Sequence, residues 1–457
     1  LSLKKAYTTP IFKAGDQTSF SNYRPISVLP VFAKVFERLM FNRIYAFLDN
    51  NNIFSDNQYG FRKRLSTEMA LIDAINYITA SLDQRSHTIG VFLDLSKAFD
   101  TVNHNILLSK LYHYGIRGNA QLWFKSYLTD RVQCVKYNDE LSAERAINIG
   151  VPQGSIMGPL LFIIYVNDLP NVVPKLKSIL FADDTTLFSS GNDIIRVALE
   201  LNTELDKLAK WFTSNKLSLN IKKTHYILFS LSSVIKNTQI DVKINENSIE
   251  KVSSTKFLGI YIDDKQNWVP HIDHVCKKLR KSIGILKKVK PLLTQKTLIS
   301  LYYSLIYPYL TYCQLIWGKA SCTHLKRITV LQKRAIRVIC GVNFLAHTEP
   351  LFNKTKIIRF QELYNYLTII FIYKLKNNLL PLSFRRQIRI ELTDIPQQPT
   401  RSSAQQKINL PLCRTVMRQN TIMYQLYKIY NELFIPLEFN NINSLHQLKK
   451  NVKNISI

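Results

Sequence analysis

Two adjacent acids, Asp183 and Asp184, stand between short apolar runs at 178–182 and 185–188. An apolar, acidic, apolar order of this length is typical of two strands joined by a tight turn. The pattern therefore predicts a β-hairpin with both carboxylates at its tip.

A third acid, Asp94, ends the apolar run 89–93, which is too short for a helix and predicts a buried strand. Adjacent carboxylates repel one another, and a protein that keeps them near a third usually neutralises them with a divalent metal ion. Oxygen ligands suit Mg²⁺, and two such ions roughly 3.5 to 4 Å apart activate an attacking hydroxyl and stabilise a leaving phosphate oxygen, which is the chemistry of nucleotidyl transfer. The alternative is an ordinary turn, since Asp pairs are common there.

The segments before and after these strands have helical periodicity, which predicts the α+β fold class. Helices are predicted over 31–48, 66–82, 158–166, 272–286 and 325–339. The chain has 46% apolar residues with 24 Phe and 23 Tyr, which excludes general disorder and indicates a globular protein.

The net charge of +29 is unevenly distributed. Residues 1–250 carry 28 basic and 23 acidic side chains, whereas residues 251–457 carry 33 and 9. This division suits a catalytic unit that needs carboxylates, followed by a unit that binds a phosphate backbone. The alternative for the last part of the chain is a solvated basic tail.

The uncharged stretch 297–318 is long enough to cross a bilayer, but it contains Pro308 and many polar groups. We expect a buried helix pair broken near Pro308 and no membrane contact.

Six sequence blocks together resemble the reverse transcriptase of non-LTR (LINE-like) retrotransposons, and most of all the jockey-like branch. Each block alone is weak, but all six occur in the family's order within residues 8–262. They are 22–27 (NYRPIS), 58–62 (QYGFR), 92–100 (FLDLSKAFD), 150–155 (GVPQGS), 181–184 (FADD) and 257–259 (FLG).

The resemblance implies a right-hand polymerase with fingers, palm and thumb, followed by a basic, mainly helical C-terminal region. We expect fingers and palm within residues 1–265, a helical thumb over 266–345 and the C-terminal region over 346–457. It also implies that Asp94 and Asp183 ligate two Mg²⁺ ions, with Asp184 contributing to the same site. Asp100 is expected to be structural, as an N-cap or turn acid.

The same resemblance gives roles to substrate-binding residues. Phe99 would exclude a ribose 2′-hydroxyl, so that deoxynucleotides are preferred, and its alternative is core packing. Gln153 would touch the incoming nucleotide. Arg62 or Arg64 would clamp the triphosphate, because guanidinium groups match phosphate oxygens. Lys223 would assist the departure of pyrophosphate, and Lys222 is the alternative residue for this role.

A second aromatic-x-Asp-Asp sequence at 261–264 competes for the metal role. The order of the blocks favours Asp183 and Asp184, because Asp263 and Asp264 come after the whole series and open the basic region. We expect the later pair to form a turn.

The implied partners are an RNA template, a DNA primer or target DNA, and deoxynucleoside triphosphates. Relatives of this kind carry an endonuclease, which is expected on an N-terminal part ahead of residue 1, and they act in the nucleus, so an intracellular location is expected. The competing functions are an RNA-dependent RNA polymerase, which Phe99 disfavours, a group II intron maturase, and a catalytically decayed or domesticated nucleic-acid-binding protein.

Overall fold

The structure is a computed structural model that describes residues 2–382, 384–385, 410–434 and 444–454. Within these residues the strands are β1 Lys5–Phe12, β2 Tyr23–Val28, β3 His87–Leu93, β4 Arg131–Tyr137, β5 Glu140–Leu141, β6 Arg145–Ile147, β7 Lys177–Phe181, β8 Asp184–Gly191, β9 His225–Phe229, β10 Lys243–Ile244, β11 Asn247–Ser248, β12 Glu250–Lys251, β13 Ser254–Phe257 and β14 Ile260–Asp263.

The helices alternate with these strands at first and dominate after residue 265. They are α1 Val31–Asn50, α2 Thr67–Asp83, α3 His104–His113, α4 Gly118–Leu128, α5 Met157–Tyr165, α6 Leu169–Val172, α7 Ile194–Ser214, α8 Ser233–Asn237, α9 Val269–Val289, α10 Gln295–Leu305, α11 Tyr307–Thr311, α12 Gln314–Trp317, α13 Cys322–Cys340, α14 Glu349–Thr355, α15 Phe360–Lys376, α16 Val416–Gln419, α17 Ile422–Ile429 and α18 Leu445–Asn454.

The central sheet has the strand order β12-β9-β3-β8-β7. Strand β3 lies in its middle and pairs antiparallel with β8 and β9, so its backbone groups are bonded on both sides. Successive residues of a strand point to opposite faces. Ile89 and Val91 accordingly pack into one core with α5 and α7, while Phe92 packs into another with α2 and α9. The predicted buried strand is thus confirmed.

A second sheet has the order β2-β1-β4-β5, and β6 also pairs with β4, on the edge opposite β1. Strand β1 pairs antiparallel with β2 and parallel with β4. This sheet carries the 22–27 block on β2 and reaches the central unit through a bond from Ser27 N–H to Gln153 O, at 2.7 Å.

The two predicted basic helices are confirmed as α9 and α13. Their apolar faces are buried against each other and the palm, at Ile272, Val275, Leu279, Ile283 and Leu286 of α9 and at Ile328, Leu331, Ile336 and Ile339 of α13. Their lysines and arginines lie mainly on the opposite, exposed sides, as amphipathic spacing requires.

The predicted helix pair near Pro308 forms as three short helices, α10, α11 and α12. Helix α10 ends at Leu305 and α11 contains the proline in its first turn. Among the described residues, no helix is long and apolar enough to cross a membrane.

The C-terminal residues are joined to the end of α2 by a set of contacts that we name the clasp, and we define it as the contacts of Asp83 and α2 with residues 414–418. One oxygen of Asp83 accepts bonds from the backbone N–H groups of Arg414 and Thr415, at 2.8 and 2.7 Å. The Arg418 guanidinium donates to the Asn76 side chain and to the Thr79 hydroxyl, at 2.5 and 3.0 Å. The described helices after residue 346 therefore share one core with α2 and the thumb. Residues 386–409, 435–443 and 455–457 of the predicted C-terminal region lie outside the described part.

Candidate active site

The acidic pair lies at the tip of the β7–β8 hairpin, as predicted. Phe181 pairs with Asp184, so Ala182 and Asp183 form a two-residue turn. Ala182 adopts a φ of 58°, in the left-handed region that favours glycine. A non-glycine residue in this conformation is held by its surroundings, and such positions cluster at functional sites.

Asp94 follows β3 directly and completes the acidic group. Because Leu93 pairs with Thr185, Asp94 lies at the same end of the sheet as Asp184. The Asp94 carbonyl accepts from Asn220 N–H at 2.8 Å, which ties the acid to the loop before β9. Its carboxylate is 42% exposed. The structure thus places Asp94, Asp183 and Asp184 at the same end of the central sheet.

The three carboxylates disfavour one another's charge. Asp183 and Asp184 are solvent-accessible, but surrounding protein removes part of their hydration. This burial raises the pKa of Asp183, and the charge of Asp94 raises it further. Burial also raises the pKa of Asp184 to about 6, with Asp183 and Asp94 adding to it. A divalent cation would relieve this repulsion, and carboxylate oxygens are ligands that Mg²⁺ prefers. The donor chemistry therefore suits Mg²⁺, but in the part of the chain that the structure describes no three His, Cys, Asp or Glu side chains lie close enough together to hold a metal ion.

The 58–62 block supports the acidic hairpin from the side. Tyr59 N–H donates to Leu180 O at 2.8 Å, and Gln58 bridges Leu180 in parallel, so this segment extends the sheet beyond β7. The Gln58 side-chain oxygen accepts from the backbone N–H groups of Gly60 and Ala182, at 2.7 and 3.1 Å. Gln58 therefore holds the turn that carries Asp183.

Gly60 is needed because the two segments approach each other so closely. A Cβ atom at this position would lie 2.2 Å from the Ala182 nitrogen and 2.9 Å from the Phe181 carbonyl carbon. No side chain can be placed there without displacing the hairpin.

Phe99 lies on a short 3₁₀ turn over Ala98–Asp100, five residues after Asp94. Its ring stacks on Phe162, with centroids 4.6 Å apart, and meets the half-exposed ring of Phe61 edge-on at 6.3 Å. Phe99 is thus packed on one side and half-buried, a position that suits a wall of a nucleotide site.

Gln153 is fixed by two neighbours rather than free in a loop. Its side-chain nitrogen donates to Asp100 Oδ1 at 2.8 Å, and its carbonyl accepts from Ser27 N–H at 2.7 Å. Gly154 follows with a φ of 126°, and a Cβ there would lie 2.4 Å from Ser27 O. Asp100 is indeed a turn residue, but its carboxylate orients Gln153 and does not cap a helix.

The predicted phosphate-binding residues differ in their placement. Lys223 Nζ lies 4.0 Å from Asp94 Oδ2, at the acidic group. Arg62 instead donates to Ser55 O at 3.0 Å and packs over the Phe54 ring at 5.0 Å, so its contacts do not support a role at the triphosphate. Arg64 is exposed, with a φ of 65°.

Two cations that the sequence analysis missed act on the acidic group. Lys13 follows β1 and Arg24 lies on β2, and the charges of both lower the pKa of Asp183 against the effect of its burial. Burial raises the pKa of Asp100 as well, and the charge of Lys13 lowers it. No spacing rule joins these residues to Asp183, because only the pairing of β1 with β2 brings them to the site.

The competing acids Asp263 and Asp264 are used for other purposes. Asp263 closes β14, is 5% exposed and accepts from the backbone N–H groups of Trp268 and Asn267, at 2.9 and 3.1 Å. Asp264 pairs with Lys236 at 3.2 Å. The expected turn therefore begins at Asp264, and Asp263 holds the start of α9.

A mixed central sheet with three acids at one end, a second sheet whose Arg24 acts on Asp183, and a basic helical part after residue 265 define the palm and surrounding parts of a right-hand polymerase. Residues 11–262 match the family described as "Reverse transcriptase (RNA-dependent DNA polymerase)", which is more than half of the chain. The chain belongs to this family.

Curated relatives confirm the jockey-like resemblance. A "Probable RNA-directed DNA polymerase from transposon BS" of Drosophila melanogaster is 32% identical over 353 residues, 74% of this chain and 38% of the relative. The "RNA-directed DNA polymerase from mobile element jockey" of the same species is 28% identical over 365 residues, 78% of this chain and 39% of the relative. The chain thus spans less than half the length of these relatives.

Among solved structures, this chain is similar to a telomerase from Candida tropicalis in complex with a fragment of telomeric RNA. The sequence identity is 11%, the TM-score is 0.44, and the match covers 100% of this chain and 65% of the telomerase.

Proposed function

We propose that this chain is an RNA-directed DNA polymerase, which extends a 3′-hydroxyl primer on an RNA template with deoxynucleoside triphosphates. The observation that carries the proposal is the convergence of Asp94, Asp183 and Asp184 at one end of the central sheet, inside a chain that belongs to the reverse transcriptase family.

The three carboxylates would hold two Mg²⁺ ions, which when bound supply activation of the primer hydroxyl and stabilisation of the leaving oxygen. Lys223 stands beside Asp94 and would balance charge on the departing pyrophosphate. Lys13 and Arg24 supply further positive charge opposite the acids. This chain would then work by positioning and by electrostatic stabilisation, as phosphoryl transfer generally requires.

Phe99 and Gln153 would select and orient the nucleotide. The Phe99 ring is stacked against Phe162, which restricts its movement. The ring would therefore occupy the space that a 2′-hydroxyl needs. The bond from Gln153 to Asp100 fixes the amide beside that ring. Arg62 and Arg64 stay candidates for the triphosphate, with Arg64 favoured because Arg62 is bonded to Ser55.

Nucleic acid would be bound by the basic helices. We propose fingers and palm within 1–265, a thumb over 266–345 and a C-terminal region over 346–457, with template and primer lying along the exposed basic sides of α9 and α13. The excess of 24 positive charges after residue 250, from 33 basic and 9 acidic side chains, supports this placement.

The relatives named for a transposon and a mobile element suggest where the reaction would occur. We propose that an endonuclease, expected in this family, supplies the 3′-hydroxyl on target DNA and that the chain acts in the nucleus. The proposals of two Mg²⁺ ions, of an endonuclease and of target DNA as partner are based on the family resemblance.

The test is primer extension on an RNA template with deoxynucleotides and Mg²⁺. Asp183→Asn should abolish extension while RNA binding stays close to that of the parent, because one metal ligand is lost and the basic surface is kept. Asp264→Asn is the matched control: it alters the other aromatic-x-Asp-Asp sequence and should extend normally.

Equal loss in both variants would contradict the assignment of the metal site. No extension by the parent, with tight RNA binding retained, would favour the second candidate, a decayed or domesticated nucleic-acid-binding protein. The strongly basic second half of the chain is the observation that supports this alternative.

A further inference from the structure

The segment that supports the acidic hairpin has little regular structure of its own. Residues 51–66 lie between α1 and α2 and form no helix or strand, apart from the bridge of Gln58 to Leu180. Leu180 N–H donates to Asn57 O at 2.9 Å, and Tyr59 N–H donates to Leu180 O at 2.8 Å, so backbone pairing with β7 involves one residue of that strand. The position of the segment relative to β7 therefore depends on side chains as well.

Asp73 is a charged residue among buried apolar ones in α2. It is 3% exposed, and Leu71, Ile72 and Ala74 around it are buried too. A buried carboxylate is costly unless it is paired and hydrogen-bonded. Replacing a buried ion pair by apolar groups of similar volume is often neutral or stabilising. Stability of the fold alone therefore does not account for an acid at this position.

One oxygen of Asp73 joins two neighbouring parts of the sheet edge. Asp73 Oδ2 accepts from the Tyr59 hydroxyl at 2.9 Å and lies 2.7 Å from Lys177 Nζ. Tyr59 belongs to the 58–62 block, and Lys177 begins β7, the strand that leads into the turn with Asp183. Burial raises the pKa of Tyr59, and the charge of Asp73 raises it further, so the hydroxyl keeps its proton and remains a donor.

The residues on both sides of Tyr59 contact the acidic turn. Gln58 accepts from Ala182 N–H at 3.1 Å with its side-chain oxygen. Gly60 approaches the backbone of Phe181 and Ala182 so closely that it leaves no room for a Cβ atom. A displacement of Tyr59 would therefore move both contacts that hold the turn.

We propose that Asp73 is a positioning residue of the polymerase centre. From α2 it fixes Tyr59 and Lys177, and through them the turn that carries Asp183. Hydrogen bonds are directional, so they fix a position that apolar contacts leave looser. This inference rests on the proposed function, because it concerns the geometry of the proposed metal ligands, and it gives Asp73 no contact with substrate.

The first test is Tyr59→Phe, which removes the hydroxyl that donates to Asp73. In single-turnover primer extension kcat should fall on the order of 10-fold, the lower end of the effect of losing groups that hold metal ligands in place. RNA affinity should stay at the parental value, because no basic side chain is removed.

Tyr77→Phe is the matched control on the same helix. The Tyr77 hydroxyl is bonded to Ser190 Oγ at 2.8 Å, near the end of β8 that lies away from Asp184. This variant loses a comparable bond and should keep the parental kcat. A parental kcat in Tyr59→Phe, or an equal loss in both variants, would overturn the proposal.

The second test separates the acceptor from the charge. Asp73→Asn and Asp73→Leu are each combined with Lys177→Met, so that neither protein leaves the lysine without its carboxylate. Asparagine and leucine are similar in size, but only asparagine keeps an oxygen that accepts from Tyr59. The asparagine form should retain most of kcat, and the leucine form should lose on the order of 10-fold. The leucine form should be at least as stable, so a purely structural role would not lower its kcat, and equal kcat in both forms would overturn the proposal.

Hydrogen exchange of the backbone amides tests the same contact without polymerisation. In Tyr59→Phe the Ala182 amide should exchange at least about 10-fold faster than in the parent, whereas Tyr77→Phe should leave it unchanged. An unchanged rate at Ala182 in Tyr59→Phe would overturn the proposal. Faster exchange there, combined with no extension by the parent, would confirm that the contact holds the turn and would count against the proposed function alone.

Discussion

Gly60→Ala should damage catalysis without touching any catalytic group. The added Cβ would lie 2.2 Å from the Ala182 nitrogen, whereas ordinary contacts begin at 3.4 Å. The two backbone segments must therefore separate by roughly 1.2 Å. Ala182 precedes Asp183 directly, so the displacement falls on the turn that carries a proposed metal ligand.

A misplacement of about 1 Å in a reacting geometry costs on the order of 100-fold in rate, which corresponds to about 2.7 kcal/mol of activation free energy. We therefore expect kcat for primer extension to fall about 100-fold, while RNA affinity changes little because the substitution removes no basic side chain. Single-turnover extension with saturating RNA and deoxynucleotide would measure this directly.

Gly284→Ala is the matched control, because a Cβ at this exposed position of α9 meets no atom within 4 Å. It should leave kcat unchanged and raise the free energy of unfolding by about 0.4 to 1 kcal/mol, as expected for removing glycine from a helix. A folded Gly60→Ala protein with parental kcat would refute the argument that this close approach sets the position of the acids.

Three other predictions concern selectivity, packing and pH. Phe99→Val should admit ribonucleotides, because it removes the ring that we propose excludes a 2′-hydroxyl, and unchanged discrimination in a nucleotide competition assay would contradict this role. Glu37→Leu should lower the free energy of unfolding by about 2 to 4 kcal/mol, because two donors lose their acceptor: the Tyr127 hydroxyl, at 2.8 Å, and Ile156 N–H, at 2.7 Å. In a denaturation cycle with Tyr127→Phe, strictly additive losses would show that Glu37 and Tyr127 are not coupled. Glu68→Gln should remove a pH dependence of stability: burial raises the pKa of Glu68 from 4.5 to about 7, so ionisation opposes folding and the parent loses stability as pH rises from about 4.5 to about 7. Parallel curves of unfolding free energy against pH for parent and variant would refute this.

Local patterns predicted the acidic hairpin, strand β3 and the basic helices, because each depends on residues close together in the chain. The 178–188 pattern placed Asp183 and Asp184 at a tip, and the structure confirms it. A local pattern could not separate the two acidic pairs, and only the order of the motif blocks favoured Asp183 and Asp184 over Asp263 and Asp264. In the structure Asp263 is buried and Asp264 is paired with Lys236.

Contacts between distant segments could not be predicted in this way. Periodicity predicted α1, but Phe32, Val35 and Phe36 in its first half are exposed, since only the second half packs into the core. The direction of the Arg62 side chain depends on Ser55 and Phe54, which a motif does not encode. Lys13 and Arg24 reach the acids only through the pairing of β1 with β2.

The clasp at the end of α2 has a consequence for how the chain is made. The bonds between Asp83 and residues 414–415 join positions 331 and 332 residues apart. At about 5 to 20 residues per second, a ribosome needs roughly 20 to 70 seconds to synthesise the second partner after the first. During this interval the apolar side of α2 is not yet buried by the C-terminal helices. A stalled or truncated nascent chain would therefore expose this side to chaperones and to other chains.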